Sequence, residues 1–238
     1  MRLSGRCIDL RRPKKYQNMK ASKFCVFLDA GHGGVDPKVK LPNGYTTYPS
    51  KCSQHNNGVF HSYGWFFEGV FNRAVTELIE QYLKDWGFST MKVYDPVTDV
   101  SLGKRVAKAN FAAKTFEASL YISIHGNAAA SKEARGWEVF TSVGQTRSDI
   151  YAEFLYKEVK EAFPKWIFRS DLLDGDHDKE ERFYVLTQTD MPAVLSENGF
   201  FTNYHDAKMM FDPTFQNTLA LSHARAVVDY AKTQGVIF

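Results

Sequence analysis

The apolar run Phe24-Cys25-Val26-Phe27-Leu28 stops at Asp29 and gives way to Ala30-Gly31-His32-Gly33-Gly34-Val35-Asp36. A short apolar run of this kind reads as a buried strand. The glycines after it let the backbone turn sharply and let another group approach closely. A strand running into a tight loop that carries a titratable side chain is how α/β proteins present chemistry at the end of a sheet. Two later stretches repeat the plan. Leu120-Tyr121-Ile122-Ser123-Ile124 runs into His125-Gly126-Asn127, and Pro192-Ala193-Val194-Leu195-Ser196 runs into Glu197-Asn198-Gly199.

Helical patterns lie between these runs. From Trp65 to Trp86, the residues Phe67, Phe71, Val75, Leu78 and Tyr82 recur at spacings of three and four, and Gly87 follows. Leu102 to Phe116, Asp149 to Phe163 (stopped by Pro164) and Phe215 to Lys232 read as further helices. Strands are expected at Phe24–Asp29, Thr90–Tyr94, Leu120–Ile124, Trp137–Thr141 and Ala193–Ser196, with a brief pairing at Phe183–Leu186. The charged stretch from Arg169 to Arg182 reads as a solvated loop. Asp36 to Tyr63 shows no period of either kind. Strands alternating with helices predict an α/β single domain, with a twisted, mainly parallel sheet flanked by helices on both faces.

With 238 residues, 44% of them hydrophobic, the chain is long enough to bury one sizeable core. A net charge of +3 suits contact with an anionic polymer but does not call for nucleic acid. No apolar run approaches the roughly 18 residues needed to cross a bilayer, so no membrane insertion is expected. Residues 1–22 are basic and polar and lack the apolar core of a signal peptide. They are expected to be a disordered arm, or an over-long gene start with Met19 just before the first strand, ahead of one domain at 23–238, made in the cytoplasm. Of the three cysteines, Cys25 falls in the first strand as a small buried residue. No CxxC pair exists, which excludes a four-cysteine zinc site and leaves open only a Cys7–Cys52 bridge.

Catalytic zinc sites take three protein ligands and leave a position for water; two histidines and a glutamate are a common set. His32 and His125 each follow a predicted strand, and neighbouring strands lie ~5 Å apart, so both imidazoles can reach one ion. Glu68, in the first turn of the helix after the long loop, sits where the helix dipole favours a carboxylate. Asn72 lies one turn on, on the same face. Glu197 ends a buried strand, where a carboxylate is costly without a partner or a task. It is the candidate acid and base. Asp29 and Asn127 are candidates for orienting the histidines. His55 and His61, in the long loop, are rival ligands that such a loop would place poorly. Tyr45, Tyr48 and Tyr63 are candidates for lining a groove.

These residues resemble the zinc-dependent N-acetylmuramoyl-L-alanine amidase family of cell-wall autolysins and phage endolysins. The resemblance runs from about Phe24 to Phe238. Asp29-Ala30-Gly31-His32-Gly33-Gly34-Val35-Asp36 is similar to the motif that carries the family's first zinc histidine. Glu68 with Asn72 is similar to its zinc glutamate position. Leu102, Arg105, Ala109 and Asn110, then Ser123-Ile124-His125-Gly126-Asn127-Ala128, are similar to the second histidine motif. Phe183-Tyr184-Val185-Leu186, Met191-Pro192-Ala193-Val194-Leu195, Glu197 and Gly199-Phe200-Phe201-Thr202-Asn203 are similar to the motif of the catalytic glutamate.

The resemblance implies one Zn²⁺ held by His32, Glu68 and His125, with Glu197 catalytic. It also implies hydrolysis of the amide between N-acetylmuramic acid and the L-alanine of the peptidoglycan stem peptide by a monomeric enzyme. Polar Ser196 and Asn198 around Glu197, and the long stretch from Pro37 to Tyr63, depart from the family pattern. With no signal peptide, a phage-type endolysin is expected before an exported autolysin. A zinc peptidase cutting inside the stem peptide and a non-catalytic wall-binding module are the alternatives.

Overall fold

The computed structural model of the chain describes residues 23–36, 38, 44–47 and 58–235. The basic arm, Cys7, Cys52, Tyr48 and His55 therefore lie outside the described residues. The elements run β1 (Phe24–Ala30), β2 (Val59–His61), β3 (Gly64–Phe66), α1 (Glu68–Asp85), β4 (Ser89–Lys92), α2 (Leu102–Ala113) and β5 (Ala118–Asn127). They continue as β6 (Trp137–Thr141), α3 (Arg147–Ala162), β7 (Lys179–Glu180), α4 (Tyr184–Thr187), β8 (Ala193–Phe200), α5 (Tyr204–Met210) and α6 (Pro213–Thr233).

Six strands form one sheet in the order β4-β1-β5-β8-β6-β7, and β2 and β3 form a separate hairpin. β4, β1, β5 and β8 are parallel, whereas β6 lies antiparallel to β8 and β7 parallel to β6. Alternation sorts the central strands into two faces. Phe24, Val26 and Leu28 of β1 join Leu120, Ile122, Ile124 and Val194 in a core with residues of α1, α3 and α6. Cys25 and Phe27 join Tyr121, Ala193 and Leu195 on the other face, under α2 and α4. Cys25 is buried and free, and burial pushes its thiol up to about 12, so it is an inert packing residue.

The expected single α/β domain is present, with differences at its margins. The first helix starts at Glu68, because Gly64-Trp65-Phe66 pairs with Val59-Phe60-His61 as a hairpin. Phe67, the residue before that helix, offers no side-chain cap, so the sequence carries no start signal there. Phe183–Leu186 is not a strand: Tyr184–Thr187 form one helical turn. The charged loop contains β7, which pairs Lys179 with Phe140 and Glu180 with Thr141. β8 runs on to Phe200, so Glu197 lies inside the last strand and not past its end. α5 has no counterpart in the sequence reading; Asn203 caps it by accepting from the N–H groups of His205 and Asp206. No helix among the described residues is long and apolar enough to cross a membrane.

Candidate metal centre

The site is built at the carboxyl ends of β1, β5 and β8, with α1 laid across them. Gly31 continues β1 beside β5, its N–H donating to the Ile124 carbonyl at 3.0 Å. A Cβ at Gly31 would overlap the imidazole of His125, so glycine is what lets that ring lie against the loop. His32 follows with φ 63°, the one left-handed non-glycine among the described residues. Two arginines hold that turn. Nη2 of Arg73, from α1, and Nη2 of Arg105, from α2, each donate to the His32 carbonyl at 3.0 Å. Arg73 also donates to the carbonyls of Gly69, Asp95 and Pro96. Arg105 reaches the carbonyls of Ala30 and Val100.

His32, Glu68 and His125 each offer a ligand atom within 4.8 Å of the others, a set that could hold a metal ion. Glu68 Oε2 lies 3.1 Å from His32 Nε2, and Oε1 lies 3.0 Å from His125 Nδ1. The two rings stand nearly perpendicular, with centroids 5.3 Å apart. Burial alone would raise the Glu68 carboxyl, but the charges and hydrogen bonds of His32 and His125 outweigh it and hold it below the usual range. Asn72 donates to Glu68 Oε1 at 3.3 Å and to the Gly31 carbonyl at 3.2 Å, tying ligand helix to ligand loop as its spacing suggested.

Glu197 is in register with His125 across β8 and β5, and with Glu138 across β8 and β6. The three form a row across three strands on one face of the sheet. Glu197 Oε2 is buried without a hydrogen-bond partner among the described residues. Burial, then the Glu68 and Glu138 carboxylates, pushes the Glu197 carboxyl well above the usual range, while His32 acts the other way. Glu138 is itself 5% exposed and accepts from Asn127, Arg169 and Lys179. Just beyond Glu197 the pairing with β5 shifts: His125 faces Glu197, but Asn127 faces Phe200. The extra residue is a β-bulge at Asn198-Gly199, with Gly199 at φ 102°. Asn198 Nδ2 donates to the His125 carbonyl at 3.0 Å, so polar residues beside Glu197 serve to fix the ligand strand.

Several expected roles move. Asp29 does not orient the histidines. Its carboxylate is taken up by Arg105, Tyr121 and Ser123 on the α2 face. Asn127 holds Glu138. His61 Nε2 lies 2.9 Å from the Phe201 carbonyl and its ring stacks on Tyr63, outside the donor set. Tyr45 lines no groove: it is 4% exposed and its hydroxyl accepts from Gly69 N–H. Tyr63 donates to the Tyr204 carbonyl. Glu138, Arg73 and Asn198 were missed as parts of the site. The alternating Trp137-Glu138-Val139, which puts one carboxylate in an apolar strand, was the available signal for Glu138.

Fold and donor set together define a class: an α/β enzyme domain with a candidate metal centre and a buried carboxyl group at the carboxyl edge of its sheet. The family model for N-acetylmuramoyl-L-alanine amidase (Amidase_3) matches residues 26–229, and the chain belongs to that family. It is 29% identical over 206 residues to the uncharacterized protein YqiI of Bacillus subtilis (strain 168), covering 86% of this chain and 84% of that protein. It is 27% identical over 204 residues to the endolysin of Bacillus phage SPP1, covering 86% of this chain and 65% of the endolysin. Among solved structures, the catalytic domain of the N-acetylmuramoyl-L-alanine amidase CwlV from Paenibacillus polymyxa var. colistinus superposes with a TM-score of 0.66 at 25% identity. That superposition covers 88% of this chain and 98% of the CwlV chain.

Proposed function

We propose that the chain hydrolyses the amide joining N-acetylmuramic acid to the L-alanine of the peptidoglycan stem peptide. Zinc is held by His32, Glu68 and His125, and Glu197 is the general base and acid. The observation that carries this reading is the meeting of those three donors beside a buried carboxylate oxygen with no hydrogen-bond partner among the described residues. Two imidazoles and a carboxylate match the donor set of catalytic zinc. When bound, zinc polarises the amide carbonyl and makes water a better nucleophile at neutral pH.

The chain's own residues supply the rest. Glu68 is held ionised between the two imidazoles, which keeps both rings aimed at one point. Glu197 has a raised proton affinity and a buried oxygen that no described residue hydrogen-bonds, which suits it to take the proton of the attacking water and return it to the leaving alanine nitrogen. Arg73, Arg105 and Asn198 fix the backbone of the two histidines, so the site is formed before substrate arrives. Action in phage-type lysis is the form of this activity that similarity to the SPP1 endolysin supports.

The test is mass spectrometry of soluble products from purified peptidoglycan, with and without a chelator. The expected result is intact stem peptides beginning at L-alanine, abolished by chelation and restored by zinc. Shortened peptides still attached to sugar would place the cut inside the stem and favour a peptidase. No product from any wall type would leave a binding module.

A further inference from the structure

The β2–β3 hairpin has an inner face that packs and an outer face that does not. Val59 and Phe66 are opposite one another. Phe66, 3% exposed, stacks on Phe201 at 5.3 Å on the inner side. The next pair out, Phe60 and Trp65, is also in direct register, with ring centroids 5.5 Å apart. Alternation turns it to the other face. On a small solvated hairpin that face is ordinarily polar. Here Phe60 is 64% and Trp65 45% exposed. Trp65 further stacks on Phe67 at 6.1 Å and 9°, so its ring is held in one orientation.

This aromatic wall forms one side of a cleft of about 320 Å³; Ala129, Lys132 and Thr202 form part of the other. The lining of the cleft lies close along the chain to three elements of the candidate metal centre. Phe67 alone separates β3 from Glu68, Ala129 follows the β5 end that carries His125, and Thr202 follows the β8 end that carries Glu197. The far wall is fixed to itself, since Ala129 N–H donates to Thr202 Oγ1 at 3.1 Å.

We infer that Trp65 and Phe60 form a stacking platform for a pyranose ring of the glycan strand, seating the sugar side of the substrate next to the metal centre. This rests on the amidase reading given above. A pyranose presents C–H groups on its flat faces and hydroxyls at its rim. The electron-rich face of an aromatic ring accepts the former, and Lys132 can meet the latter. The stem peptide, with its backbone amides and carboxylates, would call for donors and cations. Lys132 is the sole cation among the described cleft-lining residues.

The experiment titrates the zinc-loaded full chain calorimetrically with a peptide-free tetrasaccharide of alternating N-acetylglucosamine and N-acetylmuramic acid, and separately with a sugar-free stem peptide. The tetrasaccharide is expected to bind. Trp65→Ala is expected to weaken it about tenfold, and Trp65→Tyr, which keeps an aromatic face, to restore most of that loss. Stem-peptide binding should not change with either variant. An unchanged tetrasaccharide affinity in Trp65→Ala, or no tetrasaccharide binding by the wild type, overturns the platform. So does a loss confined to the stem peptide. Release of stem peptides from walls is scored in parallel. Trp65-dependent sugar binding without amide cleavage would sink the hydrolase reading and leave the platform standing. Amide cleavage with Trp65-independent sugar binding would do the reverse.

Discussion

Glu197 and His125 are direct cross-strand partners, so the candidate base and a candidate metal ligand leave neighbouring strands side by side on one face. The pairing fixes their separation through backbone hydrogen bonds and not through flexible side-chain contacts. The next member of the row, Glu138, adds a second carboxylate beside Glu197. The site therefore keeps a buried acid next to like charge, an arrangement that raises proton affinity at the expense of stability.

Glu197→Gln should retain zinc and lose activity by about 100-fold or more, the scale of a missing general base. Because it removes a buried carboxyl set against Glu68 and Glu138, the variant should melt no lower than the wild type. Elemental analysis, wall-digestion rates and a melting curve check all three. Near-normal turnover would show that another group moves the proton.

Gly31→Ala should act on the metal and not on the substrate. The added methyl must displace the His125 ring, so zinc affinity should fall by about 10-fold or more, as when a group that orients a ligand is lost. Competition with a chromogenic chelator reads this directly. Unchanged affinity would mean that His125 is not held against the loop.

Arg105→Ala should cost about 3–5 kcal/mol, because it strands the buried Asp29 carboxylate. It also removes one of the two arginine donors to the His32 carbonyl, so zinc affinity should drop in the same variant. Arg105→Ala with Asp29→Asn should recover part of the stability but not the affinity. Urea titrations and metal competition separate the two effects. Recovery of both together would mean that the arginine acts only through Asp29.

His223 carries a pH signature away from the site. It is fully buried between Tyr151 and Ser196, and burial pulls its imidazole down to about 3. An unfolded histidine titrates near 6.5, so between about 6.5 and 3 the unfolded chain binds one more proton than the folded one. Stability should therefore fall with acidification through that window, by up to about 1.4 kcal/mol per pH unit from this residue. His223→Gln should flatten that part of the profile of unfolding free energy against pH. An identical slope in the variant would place the acid sensitivity elsewhere.

Much of this was legible because strand cores and their terminal histidines are local signals. The runs before His32 and His125 are short, apolar and broken by glycine, and the structure places His32 two residues past β1 but His125 inside β5, which runs on to Asn127. What escaped is non-local. Nothing in Trp65-Phe66-Phe67 distinguishes a strand from the first turn of a helix, since aromatic residues suit either and no capping residue marks the boundary. The short apolar Phe183–Leu186 was ambiguous for the same reason. The Glu138–Glu197–His125 row depends on β6 pairing antiparallel to β8, a choice of neighbour that no spacing along the chain encodes. Arg73 and Arg105 lie on helices whose apolar faces were readable, but which carbonyls they reach depends on how those helices dock.

The bulge at Asn198-Gly199 acts as a phase step in the chain. Up to Glu197 the strand alternates in one frame, and past it Phe200 and Phe201 alternate in another. Side chains on a strand have a period of two, so the extra residue is what lets Glu197 and Phe200, three apart in sequence, face His125 and Asn127, two apart. Losing the extra residue would make the pairing regular, so Phe201, which braces the hairpin through Phe66 and His61, would keep its side while Glu197 stayed in place. A single-codon deletion would thus leave the row of acids and histidine coupled to the cleft, while deleting two residues would reverse the parity and turn everything downstream onto the opposite side.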